Sequence, residues 1–112
     1  MKSSEWNTSR GGVSRNTIVL ISDYEKIKIK IKDIIYVEAQ KNYCHFFLKD
    51  GMVKTKKPLY MFEQLLGEYG FKRCHRSYII NPLYISAKRR EWIILDNQFN
   101  IPISYTYNKR LI

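Results

Sequence analysis

The chain has 112 residues, enough for one ordinary domain and too few for two. Hydrophobic residues make up 45%, which excludes a fully disordered chain, and 20 Lys and Arg stand against 10 Asp and Glu, a formal charge of +10. Such a surplus draws polyanions by long-range attraction, nucleic acid first and an anionic membrane surface second; no apolar run is long enough to span a membrane and no secretory core opens the chain, so a soluble, cytoplasmic protein is expected.

Residues 1–16, MKSSEWNTSRGGVSRN, have neither a helical nor a strand period and read as a flexible tail or linker. Lys2, Arg10 and Arg15 against Glu5 make this segment +2, so the body from 17 to 112 keeps +8. Residues 17–22 (TIVLIS) form a short apolar strand. Residues 25–32 alternate Ile27, Ile29 and Ile31 with Lys26, Lys28, Lys30 and Lys32, which predicts a strand with isoleucines inward and lysines outward. Residues 33–39 (DIIYVEA) read as a turn and a buried strand, broken at Ala39-Gln40-Lys41-Asn42. Residues 43–48 and 52–56 read as a hairpin, with Asp50-Gly51 at the tight turn.

Pro58 opens the one clear helix, with Leu59, Phe62, Leu65 and Leu66 on one face and Gly67 or Gly70 to end it. Beyond Phe71 the strands resume. Tyr78-Ile79-Ile80 ends at the turn dipeptide Asn81-Pro82, followed by Leu83-Tyr84-Ile85 as a further strand. After the basic run Lys88-Arg89-Arg90, residues 92–95 and 99–103 form a hairpin around Asp96-Asn97. The fold class expected from these patterns is mostly β with one clear helix.

Catalysis has little support. Cys44 and Cys74 sit among bulky residues without CxxC spacing and read as buried thiols of a reducing cytosol. Adjacent Cys44-His45 and Cys74-His75 would face opposite sides of a strand, so no metal site is expected. There is no Gly-rich phosphate loop, and Ser77 near His75 matches no nucleophile–base pattern. No enzyme activity, cofactor or metal is therefore expected.

The cations divide by context. Lys26, Lys28, Lys30 and Lys32 read as a solvated strand face that discourages edge-to-edge pairing, and Lys54, Lys56 and Lys57 read likewise. Lys88, Arg89 and Arg90 fit either a phosphate clamp or a plain surface loop. Residues 71–78 (FKRCHRSY) set three cations, a histidine and a hydroxyl between core aromatics: Arg76 suits bidentate reading of guanine, and His75 and Ser77 suit donation to phosphate or base edges. Lys41, Asn42 and Tyr43 form a second polar break, where Asn suits adenine.

Taken together, DIIYVEA at 33–39, Asn42-Tyr43, Lys49-Asp50-Gly51, HRSYIIN at 75–81 and IPIS at 101–104 resemble the LytTR DNA-binding domain in order and spacing over residues 17–112. The resemblance implies an elongated stack of small antiparallel sheets with one or two short helices. It implies the output domain of a bacterial response regulator, or a freestanding regulator, binding promoter DNA in pairs on repeated half-sites and inserting loops into successive major grooves. It assigns DNA contacts to Lys41, Asn42 and Tyr43, to His75, Arg76 and Ser77, and to the segment after IPIS. There the family commonly has Arg, whereas Tyr105 stands here; Tyr105 would donate to phosphate, with Lys109 or Arg110 supplying charge. Asn81 matches the motif as a structural turn residue. No phosphoacceptor pocket of a receiver domain is present in the sequence. The resulting expectation is sequence-specific binding of double-stranded DNA for transcriptional control, with Lys88 and Arg89 on phosphates. Two alternatives stand beside it: single-stranded nucleic acid stacked on some of the nine Tyr and five Phe, and a module that pairs with another LytTR protein and blocks it.

Overall fold

A computed structural model describes residues 16–108. Residues 1–15 of the expected tail, and Lys109 and Arg110, lie outside the described residues. In chain order the elements are β1 (Thr17–Ser22), β2 (Glu25–Lys30), β3 (Ile34–Gln40), β4 (Tyr43–Leu48), β5 (Gly51–Thr55), α1 (Leu59–Gly67), β6 (Lys72–His75), β7 (Tyr78–Ile80), β8 (Ile85–Lys88), β9 (Trp92–Leu95), β10 (Phe99–Pro102) and α2 (Tyr105–Asn108). They make a five-stranded sheet in the order β5-β4-β3-β7-β6, a two-stranded sheet β1-β2 and a three-stranded sheet β10-β9-β8, and each of these strand pairs is antiparallel. The extents are 46 × 26 × 24 Å. The expected mostly β, elongated stack of small antiparallel sheets with one or two short helices is the observed architecture, with two helices among the described residues.

The five-stranded sheet is buried on both faces, which is why β3 reads as a continuous apolar run rather than an alternating one. On one face Ile34, Val37, Cys44, Phe46 and Ile79 pack under the β1–β2 hairpin and α1. On the other, Ile35, Tyr36, Cys74 and Ile80 pack against Ile93, Leu95 and Ile101 of the β8–β10 sheet. A register shift between Ile34 and Tyr36 lets neighbouring Ile35 and Tyr36 share the second face while Ile34 turns to the first. Phe62 of α1 meets Phe46 edge-on at 4.8 Å, and Tyr36 stacks on Phe47 at 4.4 Å.

Several expected boundaries move. The alternating strand stops at Lys30, because Ile31–Asp33 coils into a 3-10 turn that carries buried Ile31 into β3. The tight turn of the β4–β5 hairpin is Lys49-Asp50 rather than Asp50-Gly51: Leu48 pairs with Gly51, whose φ of 152° suits the residue just after the turn. Leu83-Tyr84 is not a strand. Buried Asn81 accepts the Leu83 N–H at 3.1 Å, and Pro82 fixes the start of a 3-10 turn, Pro82–Tyr84, so β8 begins only at Ile85. Asn81 also donates to Ile34 O at 2.9 Å, the structural role expected of it. In α1, Leu59, Phe62 and Leu66 are buried, but Leu65 is 38% exposed at the border of the apolar stripe.

Candidate nucleic-acid interface

Two of the expected site segments are two-residue turns at one end of the five-stranded sheet. Lys41-Asn42 joins β3 to β4, with Gln40 paired to Tyr43. Arg76-Ser77 joins β6 to β7. Because β7 pairs antiparallel with β3, Glu38 opposite Tyr78, both turns emerge at the same end, and the Ala39 N–H donates to Ser77 O at 2.9 Å. The structure therefore brings Lys41, Asn42, Tyr43, His75, Arg76 and Ser77 together. Lys41, Asn42 and Arg76 are exposed, and Tyr43, His75 and Ser77 are half-buried at their bases. Lys41 has φ of 53°, a conformation that costs a non-glycine residue about 1 kcal/mol and presents the side chain at the tip of the turn.

The third segment lies beyond the β6 edge. The Ser104 N–H donates to Cys74 O at 3.0 Å, one residue before His75, and α2 follows at once. Tyr105 is 82% exposed. The Ile103 N–H donates to Glu91 O at 3.0 Å, which ties this segment to the turn between β8 and β9. Arg90 and Tyr105 line one surface pocket of about 560 Å³. Arg89, fixed by donation of its N–H to Trp92 O at 2.7 Å, belongs to that turn, whereas Lys88 ends the outer strand β8; both are exposed. Lys109 lies outside the described residues.

Sequence reasoning passed over three contributors. Lys54 and Lys56 reach over the Tyr43 ring, at 4.9 and 5.9 Å from its centroid, so they flank the Lys41 turn. Counting back along the β4–β5 hairpin from Lys49-Asp50 would have placed them there, since Lys54 pairs with His45 and Thr55 with Cys44. Arg73, one of the three cations of residues 71–78, is a brace. It donates to Glu63 Oε1 at 2.8 Å, to His75 O at 3.3 Å and to Arg76 O, and its guanidinium lies 5.6 Å from the Tyr107 ring centroid. One planar fork thus ties α1, the Arg76 turn and α2.

The donors at this end are preset. The Ser77 N–H donates to His75 Nδ1 at 3.1 Å, which leaves Nε2 as the ring nitrogen able to donate. Tyr78 packs edge-on to the His75 ring at 5.5 Å and donates its hydroxyl to Glu38 Oε2 at 3.1 Å; burial, then the Glu38 carboxylate, raises the Tyr78 phenol above its ordinary range. At about 4.8 Å per strand, the row from β5 to β6 is about 19 Å wide, more than the roughly 12 Å of a B-DNA major groove. Among the described residues no group of three or more His, Cys, Asp or Glu is arranged to hold a metal. Among the described residues no helix is long and apolar enough to cross a membrane.

Comparison with known proteins agrees with this geometry. Residues 24–112 match the LytTr DNA-binding domain. Over 89 residues the chain is 29% identical to the sensory transduction protein LytT of Bacillus subtilis (strain 168), covering 74% of this chain and 36% of that protein. The chain thus spans about a third of that relative's length. The solved LytTr DNA-binding domain of a putative methyl-accepting/DNA response regulator from Bacillus cereus superposes with a TM-score of 0.74 at 25% identity, over 88% of this chain and 94% of that one. The chain belongs to the LytTR family of DNA-binding domains.

Proposed function

We propose that the chain binds double-stranded DNA sequence-specifically, for transcriptional control, through the sheet end that carries the Lys41 and Arg76 turns. The observation that carries this reading is the hydrogen-bonded adjacency of those turns, with Ser104-Tyr105 docked beside them on β6. Arg76 and Asn42 read base edges, and His75 Nε2–H and Ser77 donate to a base or a phosphate. Lys41, Lys54, Lys56, Lys88 and Arg89 neutralise phosphates, and Tyr43 supports the first of these turns. Tyr105 takes the place of the family's arginine as a phosphate donor, with Lys109 adding charge. In this reading the protein acts in the cytoplasm and binds as a pair on repeated half-sites, and a receiver domain of a longer chain governs it.

Selection of bound duplexes from a random pool tests binding, specificity and half-site spacing together. With a selected site, neutralising about five phosphates gives a log–log salt slope near −4 to −5. Arg76→Ala then loses about 1–3 kcal/mol of discrimination against a scrambled duplex, while Lys88→Ala weakens both duplexes alike. Equal losses on both duplexes for Arg76→Ala would remove its reading role, and stronger binding of the single strand than of the duplex would overturn the proposal.

A further inference from the structure

The end of the central sheet opposite the Lys41 and Arg76 turns carries a second built surface. There β3 begins, β7 ends at Asn81 and β6 is entered from Phe71. A groove of about 590 Å³ opens at this end, rimmed by Lys28, Lys30 and Lys32, floored by Ile31 and Phe71 and bordered by Leu83. Among the described residues, no acidic side chain lines it. Leu83 is 82% exposed, yet it is held firmly: its N–H donates to the Asn81 side chain, Pro82 precedes it, and the Tyr84 hydroxyl donates to Lys32 O at 2.7 Å. An apolar tip is thereby fixed beside the last of the lysines. Tyr69, 40% exposed, lines the same groove.

We infer that this groove docks an acidic polypeptide segment of another protein, one that carries a bulky apolar side chain. Charge complementarity selects an acidic partner, since three lysines line the groove and, among the described residues, no carboxylate does. Leu83 and Tyr69 separate a polypeptide from a phosphate backbone: DNA would satisfy the lysines and leave the leucine against a charged surface, whereas an acidic segment with a leucine or phenylalanine satisfies both. Residues 1–15 of this chain are a poor occupant, because their own excess is cationic. Since the groove and the candidate DNA-binding end lie at opposite ends of the same strands, both can be occupied at once.

The test is a titration of the isotopically labelled full chain, without DNA, with a synthetic peptide of alternating Glu, Asp and Leu, followed by amide shifts. Saturable shifts centred on Ile31, Tyr69 and Leu83 are expected. Affinity should fall at least tenfold for Leu83→Ser, for Lys30→Glu combined with Lys32→Glu, and for a peptide with serine in place of leucine. A selected duplex should leave the peptide bound. Absent binding, shifts centred on residues 41–43 and 75–77, indifference to the leucine changes, or displacement of the peptide by the duplex would each overturn the inference. The peptide readouts taken without DNA do not depend on whether the duplex proposal itself holds; only the competition with a selected duplex does.

Discussion

Arg73 shows how the same residue type serves two ends within four positions. Arg76 projects from the turn, while Arg73 points back and holds the carbonyls of His75 and Arg76 together with Glu63. Arg73→Lys keeps the charge but not the planar fork, and a single ammonium cannot span three acceptors. Discrimination between selected and scrambled duplexes should fall by about 1–2 kcal/mol while affinity for the scrambled duplex holds; a competition binding assay measures both. The thiols carry a pH signature. Burial pushes Cys44 from the ordinary 9.0 to about 11, against a smaller opposing effect of Arg73, and pushes Cys74 to about 12. Burial and then Glu38 push Tyr36 from 10.0 to about 12. The unfolded chain releases these protons at lower pH than the folded one, so their contribution to stability is complete below about pH 9 and is lost as pH rises through 11 to 12. The urea midpoint should hold level to pH 8.5 and fall above 9, and both thiols should resist alkylation at pH 8 until the chain is unfolded. Alkylation of the native protein as fast as of the unfolded one would contradict the burial of both.

Asn81 links two elements at once, fastening the start of β3 through Ile34 O and opening the 3-10 turn that presents Leu83. Asn81→Ala should cost about 1–3 kcal/mol, since it leaves a buried carbonyl without its partner; urea denaturation measures this. An unchanged midpoint would show that this connection holds nothing. Elements were legible where one period dominated. The Ile/Lys alternation of β2, the double-buried run of β3 and the Leu59, Phe62, Leu66 spacing of α1 all follow from side-chain direction alone. The misses came where tertiary packing or turn chemistry overrode a short pattern. Ile31 continues the alternation in sequence but is drawn into a 3-10 turn that feeds β3, and Leu83-Tyr84 has strand-like residues but follows an Asn-Pro cap. The β4–β5 turn lies one residue earlier than Asp50-Gly51, which moves the strand pairing by two residues rather than one, so every side chain keeps its face.

For the whole molecule, stacking three small sheets leaves the two ends of the central sheet open and covers its faces. Chemistry is therefore confined to turns. The residues of the Lys41 and Arg76 turns were legible as polar breaks between apolar runs; their adjacency was not, because it depends on the strand order β4-β3-β7-β6, which local patterns do not encode. Arg73's bracing role was hidden for the same reason, since its Glu63 partner lies on a different element. The central claim is that one end of this sheet, and not its lysine-rich hairpin, meets the duplex. Titrating the labelled chain with a selected duplex and following amide shifts tests it most directly. The account predicts one saturable set of shifts over residues 41–43, 75–77 and 104–105, with residues 26–32 unmoved. Shifts confined to residues 26–32, with the Lys41 and Arg76 turns silent at saturation, would contradict it.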